Sequence, residues 1–253
     1  MCQRNFEGFR ERMKKNVLGV KIDDVNMDEA VSVVDKWLSN SEKHYIVTPN
    51  PEFLVTAKSD PEFKNILNNA DLAIPDGAGL KFGGVKNTVA GTDLMENLSE
   101  LASEKGYKIG LLGGRDGVAE LCAKQLKNKY PKLAVKYALS GFVVPAKAGI
   151  HLNQKTWIPR TQVRDDRVDL LFVAFGHPKQ EYWIAQNLDK LPVKVAMGVG
   201  GAFDYISGVV PRAPIWMRNL RVEWLYRLIV QPWRLKRQTS LLKYIWLLTQ
   251  GAD

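Results

Sequence analysis

Apolar residues along this chain follow two alternating rhythms. Short runs rich in Val, Ile and Leu recur at 44–48 (HYIVT), 71–74 (DLAI), 107–112 (YKIGLL), 133–138 (LAVKYA), 169–175 (DLLFVAF) and 193–197 (VKVAM), and each reads as a strand. KIGLL and LLFVAF are nearly unbroken apolar stretches, as expected of strands covered on both faces in a parallel sheet. Between the runs, helical periodicity predicts helices over 28–39, 51–58, 61–69, 92–104, 117–129 and 178–189. Pro51 and Pro61 fit first-turn positions after Asn50 and Asp60, where proline's missing N–H is not needed. Gly106 is placed to end the helix before KIGLL. This alternation predicts the α/β class, a mostly parallel sheet flanked by helices. Only 140–167, broken by Pro145 and Pro159, sustains no period.

From position 211 the pattern changes. PRAPIWMRNLRVEWLYRLIVQPWRLKRQTSLLKYIWLL holds four of the seven tryptophans, interleaved with arginines. Leu220, Trp224, Leu225 and Leu228 recur at helical spacing, with Arg221 and Arg227 off that stripe. Eight basic residues against one acid between 212 and 243 account for most of the formal +9 of the chain. Such a face can be a helix packed on the sheet, or a basic amphipathic element lying in the headgroup layer of an anionic membrane; the whole segment favours the second. No zinc-finger, RNP or helix-turn-helix signature accompanies the charge, so nucleic acid is not the expected partner. No stretch reaches 18 uncharged apolar residues, the longest candidate being LLKYIWLLTQ at 241–250, so no membrane span is expected. The opening MCQRNFEGFRERMKK lacks an apolar core and is not expected to be a secretory signal. With 253 residues, the chain divides by pattern into an extension over 1–16, a body over 17–210 and a helical appendage over 211–253. Exposed tryptophans cost free energy in water, so a homo-oligomer that covers the appendage is a further expectation.

Candidate chemistry lies after the strands: VTPNPE, PDGAGL, GGRDG, GHPKQE and GVGGAFD each follow one, and loops at strand ends of an open α/β sheet form its binding crevice. Asp76, flanked by glycine, can serve as a general base or can cap the helix after it. The pairs Gly113-Gly114 and Gly200-Gly201 resemble turns that cradle phosphates, yet neither completes the dinucleotide fingerprint. That disfavours a nucleotide-cofactor oxidoreductase, and the missing GxxxxGK[ST] disfavours a P-loop enzyme. His44, His151 and His177 are the only histidines and have no metal-ligand spacing, so neither a protein-built metal site nor a cofactor is expected. Cys2 and Cys122 form no disulfide framework, which fits a reducing compartment, and Cys122 sits in a helical stretch as a packing residue.

Taken in order, TPNPEF, DLAIPDGAGL, VAGTDLM, KIGLLGGRDGVAE, FGHPKQEYWI, MGVGGAFDYISG, RAPIWMRNL and EWLYRLIVQPWR resemble the WecG/TagA/CpsF glycosyltransferases from position 17 to about 237. The resemblance implies a Rossmann-like fold whose C-terminal appendage touches the membrane and helps complete the active site. It implies an inverting, metal-independent transfer of N-acetylmannosamine, or a related hexosamine or uronic derivative, from a UDP-sugar. The acceptor would be an undecaprenyl-diphosphate-linked N-acetylglucosamine at the cytoplasmic face of a bacterial cell membrane, in surface polysaccharide or teichoic-acid synthesis. Asp76 would then be the base, with Thr48 and Asn50 lining the sugar pocket. Gln180, Glu181, Gly200, Gly201 and Asp204 would contact the uridine diphosphate or order its loops. A single displacement needs one base and one stabilised leaving group, so glycine turns, including Gly113 and Gly114, and the arginines Arg212, Arg218, Arg221 and Arg227 are the natural partners of the diphosphates or lipid headgroups. The chain departs from the family pattern at Thr88, where members usually carry an arginine, and in VVPAKAGIHLN after Gly141-Phe142. A membrane- or polyanion-binding module without catalysis is the competing reading.

Overall fold

The structure, a computed structural model, describes residues 14–141, 167–214, 216–217, 223–230 and 235–251. It opens with a hairpin, β1 (Lys14–Val17) and β2 (Val20–Asp23), joined at Leu18 and Gly19, both at positive φ (53° and 79°) as a two-residue hairpin turn requires. The sequence reading had no strand here. The turn lacks the usual Asn-Gly or Asp-Gly signal, the strands are short, and β1 begins inside the segment expected to be an extension.

The strands that follow are β3 (His44–Val47), β4 (Leu72–Ala73), β5 (Lys108–Gly113), β6 (Ala134–Leu139), β7 (Val168–Ala174) and β8 (Val193–Gly198), which form one six-stranded sheet in the order β4-β3-β8-β7-β5-β6. The registered pairs β3 with β8, β8 with β7, β7 with β5 and β5 with β6 are all parallel. Six runs expected as strands are thus strands, and the α/β, Rossmann-like expectation is met. The helices α1 (Met27–Leu38), α2 (Pro51–Ser59), α3 (Pro61–Asn68), α4 (Gly91–Lys105), α5 (Val118–Lys129), α6 (Lys179–Asn187), α7 (Ala202–Ile206), α8 (Glu223–Val230) and α9 (Leu235–Thr249) complete the described elements together with two 3-10 turns, Ala78–Gly83 and Leu188–Lys190. Local chemistry sets their starts. Asn26 and Glu29 exchange side-chain and backbone hydrogen bonds as a capping box at α1 (3.0 and 2.8 Å), and Asp60 caps α3 through the Phe63 N–H at 3.0 Å.

Two compact units divide the chain: Met1–Glu29, Val47–Ala90 and Pro211–Asp253 form one, and Ala30–Ile46 with Gly91–Val210 the other. In the first, α9 packs along α2 and the turn Ala78–Gly83. Tyr244 is fully buried there, and a Cβ on Gly83 would come within 2.6 Å of its hydroxyl, so only glycine admits that approach. The opposite face of α9 leaves Leu242 and Trp246 at 71% and 57% exposure. The second unit has its apolar core around β7 and β8, where Leu171, Val173, Trp183, Ile184 and Ala196 pack together. Cys122 is buried there, and burial pushes its thiol well above the usual range, which is packing and not nucleophilic chemistry.

Candidate active site

In the first unit the ladder of β3 and β4 runs on past both strands. The Ile74 N–H donates to the Val47 carbonyl at 2.8 Å and the Asp76 N–H to the Pro49 carbonyl at 3.0 Å. This register sets Thr48 level with Ile74 and Asn50 level with Asp76, so Thr48, Asn50 and Asp76 belong to one face of the extended edge. Behind Asp76 the Val89 N–H returns to the Pro75 carbonyl at 2.9 Å. Gly77 then turns the chain at φ 91° and ψ 145°, a combination that glycine reaches at little cost, and the 3-10 turn it opens has no side-chain cap. Gly77, and not Asp76, stands at the N-cap position of that turn. Thr48 is buried and Asp76 half-buried. The Asn50 side-chain oxygen is occupied as the cap of α2, accepting from the N–H groups of Glu52 (2.9 Å) and Phe53 (3.2 Å), which leaves its amide nitrogen as the end able to meet a ligand.

Two residues at the end of β2 that brace this loop had no signal in the sequence beyond being carboxylates in an apolar stretch. Asp23 and Asp24 are both buried. Asp23 accepts from the Ala73 N–H at 2.8 Å; Asp24 accepts from the N–H groups of Lys86 (3.1 Å) and Asn87 (2.7 Å), while the Asn87 side chain donates back to the Asp24 carbonyl at 3.0 Å. The segment bearing Asp76 is thus fastened where it enters and where it leaves. Asp24→Ala should cost roughly 2–4 kcal/mol of stability by leaving two half-buried donors unmatched, and should lower turnover even well below the melting temperature. Asp24→Asn, which keeps one acceptor, should lose about half as much. Denaturant titration and turnover at 20–30 degrees below the midpoint test this together, and normal turnover in Asp24→Ala would remove the brace.

In the second unit the PKQE motif is internal. Gln180 and Glu181 are buried, and the Gln180 side-chain oxygen accepts from Gly176 N–H (3.2 Å), in the loop after β7, and from Gly200 N–H (2.9 Å), in the loop after β8. Its amide nitrogen donates to Glu181 Oε1 at 2.7 Å. Gly198 makes room for the pair, since a Cβ there would lie 2.7 Å from Gln180 Nε2 and 3.0 Å from Glu181 Oε1. The motif is a clasp that orders two neighbouring loops. Among the described residues Glu181 Oε2 has no hydrogen-bond partner. Burial raises its carboxyl to about 8, against the lowering effect of the Gln180 and backbone hydrogen bonds, so it is mostly protonated at neutral pH.

The remaining glycines of the expected donor site are Gly113, Gly114 and Gly201. Gly113, at φ 102°, lies too close to Ala174 and Phe175 to carry a side chain, and Gly114 N–H donates to the Ala174 carbonyl at 2.9 Å. Gly201 is the N-cap of α7. Asp204, in the first turn of α7, accepts from Arg115 Nη2 at 3.0 Å, joining the loop after β5 to the loop after β8. Arg115 was not singled out from the sequence, although it is the one basic residue of GGRDG.

Of the four arginines expected at the diphosphates or headgroups, Arg212 is half-buried, Arg218 and Arg221 lie outside the described residues, and Arg227 lies on α8 with its side chain outside them. Among the described residues no three His, Cys, Asp or Glu gather as a metal site would require, and no helix is long and apolar enough to cross a membrane.

Residues 15–252 match the model of the glycosyl transferase WecG/TagA/CpsF family. The chain is 32% identical over 233 residues to an N-acetylglucosaminyldiphosphoundecaprenol N-acetyl-beta-D-mannosaminyltransferase of Bacillus subtilis, covering 87% of each protein. It is 29% identical over 236 residues to a protein of the same name from Staphylococcus aureus, covering 90% of this chain and 89% of the other. Together with the ordered motif loops on a parallel sheet, these matches show that the chain belongs to the WecG/TagA/CpsF family of glycosyltransferases.

Proposed function

We propose that this glycosyltransferase moves N-acetylmannosamine, or a closely related hexosamine, from its UDP form to an undecaprenyl-diphosphate-linked N-acetylglucosamine at a membrane surface. The observation that carries the reading is the Asp76 segment, a carboxylate aligned with Thr48 and Asn50 and fastened through its backbone by two buried aspartates. A base so held can take the proton of an acceptor hydroxyl while that oxygen attacks the anomeric carbon. The bond from that carbon to the diphosphate breaks in the same displacement, the configuration inverts, and UDP leaves with the electron pair. The relatives' names supply the sugar and the acceptor.

A lipid-borne acceptor calls for a protein that works against the membrane. In the first unit Phe82, Trp216, Ile229, Leu242 and Trp246 are exposed, with Lys81 and Lys243 exposed among them in the sequence. Apolar and aromatic side chains with cations suit the headgroup layer of an anionic bilayer. UDP release from UDP-N-acetylmannosamine, followed in anionic vesicles with and without the polyprenyl-diphosphate N-acetylglucosamine, tests the reaction. Release is expected only with the acceptor present; equal release without it, or no turnover of any UDP-hexosamine, would overturn the proposal.

A further inference from the structure

Within the second unit, the loops 113–117, 175–181 and 198–204 are those the donor reading assigns to a nucleoside diphosphate. Four of their glycine N–H groups are committed. Gly114 N–H bonds the Ala174 carbonyl (2.9 Å), Gly117 N–H the Ser140 hydroxyl (2.7 Å), and the Gly176 and Gly200 N–H groups share Gln180 Oε1 (3.2 and 2.9 Å). A diphosphate leaving group gains charge as it departs and needs donors that are not already spent. In these loops only Arg115 and Lys179 carry a full positive charge, and Lys179 is fixed in the first turn of α6. Arg115 stands at a loop tip with its side chain 68% exposed and bonds Asp204 through one Nη2 alone. An exposed ion pair of that kind adds little to stability, whereas a guanidinium fork meets two phosphate oxygens at once.

We propose that Arg115 is a diphosphate-binding residue, held by Asp204 as the structure shows and transferred to phosphate oxygens when the nucleotide enters. The inference rests on the UDP-sugar reading and names a residue for it. On this account Asp204 stores the arginine within reach of the loop after β8, so the cation is in place before the donor arrives.

Calorimetric titration of UDP and of uridine into the full-length protein, Arg115→Ala and Arg115→Lys tests it. The wild type should bind UDP more tightly than uridine. Arg115→Ala should lose roughly ten- to a hundredfold in UDP affinity with uridine affinity unchanged, and Arg115→Lys should fall between. If the wild type prefers UDP and Arg115→Ala keeps that preference, or loses UDP and uridine affinity equally, Arg115 is not the diphosphate partner and the donor reading stands. If the wild type binds neither compound, the donor reading fails and takes this inference with it.

Discussion

Asp76→Asn should reduce turnover by roughly two to four orders of magnitude while leaving the fold and UDP binding intact. Two backbone bonds hold the segment around residue 76, from the Asp76 N–H to the Pro49 carbonyl and from the Val89 N–H to the Pro75 carbonyl. An amide of the same shape keeps both backbone bonds and removes the capacity to accept a proton. Single-turnover measurement with saturating donor and acceptor isolates that step, and calorimetry with UDP reports whether the nucleotide still binds. Near-normal turnover in Asp76→Asn would take the base away from Asp76. Lost UDP affinity with an unchanged single-turnover rate at saturation would assign it to binding instead.

The parts of the fold that were legible in the sequence are those in which local chemistry and burial agree. LLFVAF became β7, with only one of its seven residues more than buried, because a strand sandwiched between helices tolerates no polar alternation. Asn50-Pro51 and Asp60-Pro61 marked two helix starts because a capping oxygen and a proline without an N–H solve the same end problem. What escaped was set by long-range contact. Asp24 gives no local sign that it will reach across 62 residues to Lys86, and GGRDG does not reveal that Arg115 will find Asp204. Gly114 and Gly200 lie in turns that resemble phosphate cradles, and in the structure their N–H groups, with that of Gly176, also close loops on one another, a role with the same sequence signature. The apolar stretch 241–250 was too short to span a bilayer and too apolar for an ordinary surface. In the structure it resolves into two faces, Tyr244 and Leu247 packed inward while Leu242 and Trp246 remain outside.

Glu181 leads to the other large expectation, one that activity assays would not show. Its carboxyl is wholly buried and titrates at about 8 in the folded chain, against 4.5 for an ordinary glutamate. Below pH 4.5 the group is protonated in both states and has no effect on the balance. Between 4.5 and 8 the unfolded chain gives up the proton while the folded one keeps it, so stability falls as pH rises and the full penalty is reached above 8. The difference is worth about 5 kcal/mol on the usual conversion, on the order of 10 °C in melting temperature for a chain of this size. Glu181→Gln removes the ionisation and keeps an oxygen to accept from Gln180 Nε2, so the clasp on Gly176 and Gly200 survives. The melting temperature of the variant minus that of the wild type should therefore climb steadily from pH 5 to pH 8.5. All other titrating groups are common to both proteins and cancel in that difference. A flat difference would mean that Glu181 ionises without cost, which requires a donor or a path for water to Oε2, and the clasp would then be an open polar site and not a sealed brace under the loops after β7 and β8.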